Sequence, residues 1–221
     1  MKRLGIYFFF DKDGIVDKYV DYVLEDLTKH VDKLIVVCNG QLNERGRKTF
    51  EKFTGNIIVR ENKGFDVWAY KTAIDSEGWN KLIEYDEIIL MNYTIMGPVY
   101  PLKEMFDIMD KRLELDFWGI TKCFQENSPV AQQIWQCPYG YIPEHIQSSF
   151  MAFRRSIVSS TIFQKYWDEM PMIKSYYESG GSHEQYITKY FSDNGYRWDC
   201  YTNYDDMDEE IYTCCPLIVA P

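Results

Sequence analysis

The sequence has 221 residues, 46% of them hydrophobic, which is apolar material for one sizeable core. A formal net charge of −10 argues against a duplex-DNA binder, whose affinity would come from Lys and Arg neutralising phosphates. The six cysteines, Cys38, Cys123, Cys137, Cys200, Cys214 and Cys215, include no C-x-x-C pair, so they fit neither a zinc knuckle nor a disulfide framework and read as reduced thiols.

Leu4 to Phe10 is a continuous apolar run leaving through Asp11-Lys12-Asp13-Gly14, the pattern of a strand buried on both faces. From Val16 to His30, Val20, Val23, Leu24 and Leu27 recur at three- and four-residue steps, which predicts an amphipathic helix. Val31 to Cys38 is a second strand closed by the turn dipeptide Asn39-Gly40. Arg45 to Thr54 predicts a short helix, Ile57 to Arg60 a third strand, Gly64 to Asp75 a helix and Tyr85 to Met91 a fourth strand. This alternation predicts an α/β fold with a mostly parallel central sheet flanked by helices. In such sheets ligands bind outside the carboxyl ends of the strands, so the segments after Phe10, Cys38, Arg60 and Met91 are expected to converge.

In the second half, Phe117 to Thr121 and Ser148 to Phe153 read as strands, separated by an irregular stretch, Lys122 to Glu144, that carries Pro129, Pro138 and Pro143. So long a connection is usually functional or mobile. Ile157 to Met170 and Glu184 to Asp193 read as helices, and Arg197 to Tyr201 as a last strand. The cluster Asp205, Asp206, Asp208, Glu209 and Glu210 reads as a solvated loop. The chain stops directly after an apolar run, at Ile218-Val219-Ala220-Pro221, the expected mark of a piece of a longer protein. Aromatic residues make up 17% of the chain, more than a core requires, which predicts that many line a cleft.

Four segments carry candidate chemistry. Arg60 to Lys71 sets Gly64 at a helix start directly after a strand, where backbone N–H groups attract phosphate. There Asn62 and Asp66 suit a base or ribose, Trp68 and Tyr70 suit ring packing, and Lys71 or Arg60 suits diphosphate charge. The alternative is an ordinary strand-to-helix turn capped by Asn62 or Asp66. At the end of the fourth strand, glycosyltransferases commonly place an Asp-x-Asp whose carboxylates hold a divalent cation against the donor diphosphate. This chain has Asn92-Tyr93-Thr94, so either Asn92 and Thr94 help hold a metal or cationic and backbone groups take its place. Glu144 to Phe150 leads polar residues into a core strand, where His145 and Gln147 need partners, structural or bound. Finally, Glu184 follows Gly180-Gly181 at a helix start; it suits a general base, with Asp66 as competitor, or a first-turn acid favoured by the helix dipole.

Glu61 to Asp66, Met91 to Thr94 with Gly97-Pro98, Phe117-Trp118-Gly119 and His145 to Phe150, in that order, resemble the rhamnan synthesis F family, bacterial proteins similar to GT-A glycosyltransferases. The resemblance spans roughly Leu4 to Tyr201, and departs at Tyr93, where the family pattern carries an acid. It implies a GT-A-like, Rossmann-like domain over 1–221, with a nucleotide-binding half to about residue 100 and an acceptor half beyond. It implies inverting transfer of a sugar from a nucleotide-diphosphate donor such as dTDP-rhamnose, with Mg²⁺ or Mn²⁺ as the cation, onto a lipid-linked polysaccharide. The site would lie in the cytoplasm at the inner face of the membrane, reached by peripheral contact, with no nucleic-acid partner. Under this reading Asn62, Gly64, Phe65, Asp66, Lys71, Asn92 and Thr94 bind the nucleotide-sugar; Glu184 and Asp66 are catalytic; Asn92 and Thr94 are the metal positions; and His145, Gln147, Trp118 and His183 meet sugar or acceptor. A second reading, suggested by Tyr93, is a catalytically degenerate carbohydrate-binding or scaffold module of the same fold. A third, a nucleotidyltransferase, needs a well-placed carboxylate pair that the sequence does not offer.

Overall fold

The computed structural model describes residues 1–202; the acidic cluster at 205–210, Cys214 and Cys215 lie outside them. In chain order the elements are β1 (Arg3–Phe10), α1 (Lys18–Leu27), β2 (Lys33–Asn39), α2 (Glu44–Glu51), β3 (Ile57–Arg60), α3 (Phe65–Glu77), α4 (Trp79–Leu82), β4 (Glu87–Asn92) and α5 (Leu102–Met109). There follow β5 (Phe117–Gly119), β6 (Lys122–Cys123), α6 (Pro129–Trp135), β7 (His145–Ile146), β8 (Phe150–Arg154), α7 (Arg155–Val158), α8 (Thr161–Asp168) and α9 (Tyr176–Ser179). A π-helical turn, Gly180–Glu184, then leads into α10 (Gln185–Asp193) and β9 (Trp198–Cys200).

Seven strands form the central sheet in the order β3-β2-β1-β4-β8-β5-β9. All run parallel except β8, which is antiparallel to both β4 and β5. The expected α/β architecture with a mostly parallel sheet is therefore present. Successive residues of β1 feed opposite faces, as strand geometry requires. Leu4, Ile6 and Phe8 join a core with Val67, Tyr70 and Ile74 of α3, Phe163 and Trp167 of α8, and Phe191 of α10. Tyr7 and Phe9 join a second core with Val20, Val23, Leu24 and Leu27 of α1, Phe50 of α2 and Phe106 of α5.

Two expectations are corrected. The single helix over 157–170 is instead α7 and α8: α7 ends at its C-cap Ser159, and Ser160 caps the next, its Oγ accepting from the Phe163 backbone N–H at 3.1 Å. The stretch 122–144 is not irregular throughout: it holds α6, opened by Ser128 and Pro129. Its flanks pair in a two-stranded sheet, β6 with β7.

The two ends of the sheet differ in chemistry. At the amino end of β4, Glu87 is fully buried; it accepts from Arg3 Nε at 2.8 Å and from Trp118 Nε1 at 2.8 Å, with Arg154 Nε at 3.5 Å. Arg3 also bonds Asp110, and Arg154 donates to the carbonyls of Arg112 and Met109. A buried carboxylate clamped by two guanidinium groups is strongly destabilising to break, because its partners stay behind uncompensated. Glu87→Ala is expected to lower stability by about 3–5 kcal/mol, read by denaturant unfolding. The polar groups that suit function gather at the opposite, carboxyl end.

Candidate active site

Gly64 sits at the N-cap of α3 in the left-handed region, φ 75°, and Phe65 follows with φ 55°. A Cβ on Gly64 would fall 2.4 Å from Cγ of Trp68, whose Nε1 donates to the Pro171 carbonyl at 2.7 Å. Glycine is required here both by the backbone and by the indole. Gly64→Ala is expected to cost about 1–3 kcal/mol through strain and the displaced ring, read as a lower melting temperature. The Trp68 bond ties the 62–65 loop to the segment after α8. Between them lies a cleft of about 380 Å³ lined by Asn62, Lys63, Gly64 and Phe65 on one side and Met172, Ile173 and Lys174 on the other.

Arg60, ending β3, donates to Asn39 Oδ1 at 2.7 Å and to the Lys63 carbonyl at 2.8 Å, while Asn39 Nδ2 donates to the Phe65 carbonyl at 3.0 Å. The ends of β2 and β3 thus shape the loop. Next to Phe65, Asp66 in the first turn of α3 is half-buried. Its Oδ2 accepts from Asn92 Nδ2 at 3.3 Å, and its Oδ1 from the Val67 backbone N–H at 3.0 Å and Ser179 Oγ at 3.5 Å. Glu184, the last residue of the π-helical turn, is also half-buried, and its Oε2 accepts from the Ser148 backbone N–H at 2.9 Å and Ser148 Oγ at 2.6 Å. Burial raises the Asp66 carboxyl above the usual carboxylate range, and the nearby Glu184 charge adds to the rise; the Asn92 amide opposes it. Like charges held near one another with a perturbed carboxyl mark a functional-site candidate. Behind them, burial and the Glu184 charge push the Cys123 thiol up to about 12, keeping it protonated.

The structure therefore brings together Asp66, Asn92 and Glu184, with Asn62, Gly64 and Phe65 on the cleft wall. Gln147 lies beside them: its Oε1 accepts from Thr121 Oγ1 at 2.5 Å, and it precedes Ser148. Four expected positions are elsewhere. Trp118 is fully buried on the opposite face of the sheet, with its ring against Phe106 and Phe150 and its N–H on Glu87, so it reaches no ligand in the cleft. His183 is buried against Trp167 and shares a 2.7 Å hydrogen bond with the Tyr166 hydroxyl; burial pushes its imidazole down to about 3, so it is a neutral core group. The Lys71 amine pairs with Asp75, 3.4 Å away and one turn farther along α3, and lies 5.9 Å from the centre of the Trp68 ring. His145 is buried in β7, its Nδ1 within 2.7 Å of the Pro143 carbonyl. Ser148 and Ser179 hold the two carboxylates, and nothing in sequence spacing pairs a serine with an acid this distant in the chain.

Asn92 and Thr94 do not fit a cation. Asn92 Oδ1 accepts from the Thr94 backbone N–H at 3.1 Å and its Oγ1 at 2.5 Å, and Asn92 Nδ2 points to Asp66. A hard cation asks for uncommitted, preferably anionic, oxygens. Tyr93 offers a phenol rather than a carboxylate there, and its ring packs edge-on to Phe8 and Phe9, 5.7 and 5.6 Å between centroids. Among the described residues, no group of three or more His, Cys, Asp or Glu side chains is placed to hold a metal.

Comparison with known proteins adds the following. An uncharacterized protein of Sinorhizobium fredii, y4gN, is 23% identical over 150 residues, 67% of this chain and 35% of its own length, so the chain spans about a third of that relative. Solved structures of glucosyl-3-phosphoglycerate synthase from Mycobacterium tuberculosis share 12% identity, covering 71% of this chain and 57% of theirs with TM-score 0.43. One holds uridine diphosphate; another holds Mn²⁺, UDP-glucose and phosphoglyceric acid. The model of the family described as rhamnan synthesis protein F matches residues 34–221, and on a match of that extent the chain belongs to the rhamnan synthesis protein F family.

Proposed function

We propose that the chain is an inverting, GT-A-like glycosyltransferase that takes a sugar such as rhamnose from a nucleotide-diphosphate donor to a growing cell-surface polysaccharide. Family and fold support a nucleotide-sugar glycosyltransferase. The observation that carries the reading is the convergence of Asp66, Asn92 and Glu184, from three distant segments, at the carboxyl edge of a mostly parallel sheet. In this reading the half up to about residue 100 supplies one wall of the nucleotide site and Met172–Lys174 the other, with the diphosphate at the N-terminus of α3. Lys63 and Lys174, on the two cleft walls, supply the positive charge; Lys63 leaves its ion pair with Glu61, 2.8 Å away, to do so. Asp66 bonds the ribose or donor sugar, and Asn92 orients it.

Glu184 is the general base. As the acceptor hydroxyl oxygen attacks the anomeric carbon, its proton passes to the Glu184 carboxylate. The anomeric C–O bond breaks, and its electron pair leaves on the nucleotide diphosphate. Ser148 fixes the orientation of the carboxylate by holding one of its oxygens. The setting is cytoplasmic, at the inner face of the membrane that carries a lipid-linked acceptor. Attachment in this reading is peripheral; none of the described helices is long and apolar enough to cross a membrane.

Thermal stabilisation tests the proposal. A ligand that binds only the folded state raises the melting temperature. A selective rise with one of dTDP, UDP or GDP is expected, and its survival in chelator would agree with the donor set at Asn92 and Thr94. No rise with any nucleotide, with Mg²⁺, Mn²⁺ or chelator, favours the carbohydrate-binding module, which Tyr93, standing where the family pattern carries an acid, already suggests.

A further inference from the structure

Between Asn127 and Pro143 the chain carries no charged side chain, yet it is rich in amides and rings: Gln132, Gln133, Gln136, Trp135, Tyr139 and Tyr141. The fold lays the end of this stretch against the acidic site. A Cβ on Gly180 would fall 2.4 Å from Cζ3 of Trp135, and one on Gly181 would fall 1.8 Å from the Trp135 carbonyl oxygen. Only glycines let α6 seat so closely on the turn that carries Glu184. Trp135 then meets Tyr176 and Tyr177 of α9, with ring centroids 5.7 and 5.6 Å away. Both tyrosines stay open to solvent, 65% and 54% exposed. Ser179, closing the same helix, reaches Asp66. Two exposed rings and the half-buried Trp135 therefore form a wall beside the turn that carries Glu184 and the serine that reaches Asp66.

We propose that this wall, Trp135 with Tyr176 and Tyr177, is the acceptor subsite, and that it recognises an uncharged saccharide by stacking on the apolar face of a sugar ring. The proposal rests on the transferase reading for its role, although the binding it describes is measurable without donor. A sugar ring offers C–H faces to aromatic rings and hydroxyls to hydrogen-bonding groups at its rim, and amphipathic aromatics serve both. The neutrality of the stretch matters. A phosphate-bearing acceptor end or an anionic membrane surface would call for clustered Arg or Lys; 127–143 has none, and beside Tyr176 and Tyr177 the one cation, Lys174, is balanced by the acid Glu178. The wall is held from behind rather than by its occupant: Ser128 and Ser175 cap α6 and α9, each accepting a backbone N–H three residues on. Held in this way, the rings lose little freedom when a ligand stacks on them.

The test is titration of the protein, without nucleotide, by a neutral rhamnan oligosaccharide, followed by ligand-observed saturation transfer and calorimetry. Saturable binding is expected, weakened about tenfold or more in Tyr176→Ala/Tyr177→Ala, as for the loss of aromatic contacts worth over a kilocalorie. Tyr176→Phe/Tyr177→Phe keeps the stacking faces and is expected to stay near wild type, which separates ring loss from misfolding. The melting-temperature rise with the preferred nucleoside diphosphate is measured on the same variants. It is expected to be unchanged, so failure of the subsite and failure of nucleotide binding give different results. The proposal is overturned if the oligosaccharide does not bind, if the double Ala variant binds it as wild type does, or if the variant instead loses binding to phosphatidylglycerol vesicles, which would make the wall a membrane face.

Discussion

Glu184→Gln is expected to slow sugar transfer by about a hundred- to ten-thousand-fold, the range for removal of a general base, while leaving the fold and nucleotide binding in place. The argument is geometric. Glutamine keeps an oxygen to accept from the Ser148 backbone N–H and hydroxyl, so the side chain stays where Glu184 Oε2 is held. What it loses is the ability to take a proton. It also loses the charge that helps hold the Asp66 carboxyl high, so Asp66 in the variant should ionise more readily. Release of the nucleoside diphosphate, followed with the donor that thermal stabilisation selects, gives kcat and KM for the variant. A fall confined to kcat marks a group acting in the transition state. A rise in KM at unchanged kcat would instead place Glu184 among the donor-binding groups. Full turnover would hand the base role to Asp66.

The parallel half of the sheet was legible because each strand is an unbroken apolar run: Leu4 to Phe10, Leu34 to Val37 and Ile88 to Leu90 are covered on both faces, and only strands so covered can be apolar throughout. That same double burial hid the role of Trp118. In β5 both Phe117 and Trp118 are fully buried, one in each core, so no alternation says which ring faces a ligand. Asp66 and Glu184 were legible as acids at helix starts, although the pairing that gives them meaning is tertiary. The direction of Lys71 had a signal in Asp75, four residues on, the spacing at which an ion pair forms along a helix. Helix α5 also had one, since Leu102, Met105, Phe106 and Met109 follow a helical period after Pro101. His183 had none. A histidine beside two glycines and a glutamate reads as exposed until Tyr166 and Trp167 close over it.

Asp66→Asn is expected to gain stability on the wild type as pH rises, and to lose nucleotide binding. The sign follows from linkage. The folded-state carboxyl is raised above its unfolded value by burial first and by the Glu184 charge second, so between the two values the folded protein holds a proton that the unfolded chain has released. Stability from this group is therefore fully present below the unfolded value, about 3.9, and falls as pH rises through the folded one. Asparagine does not titrate, so melting temperatures measured from acid to neutral pH should show the variant improving against wild type across that window and holding its advantage above it. A gap that stays flat with pH would mean that Asp66 titrates as in an unfolded chain. Function moves the other way. A charged hydrogen bond to a bound ribose or sugar hydroxyl is worth about 1.5–3 kcal/mol, so the nucleoside diphosphate is expected to bind roughly ten- to a hundredfold more weakly. Stability gained and affinity lost at a single residue separate a carboxylate retained for binding from one retained for the fold, since a structural acid would lose both.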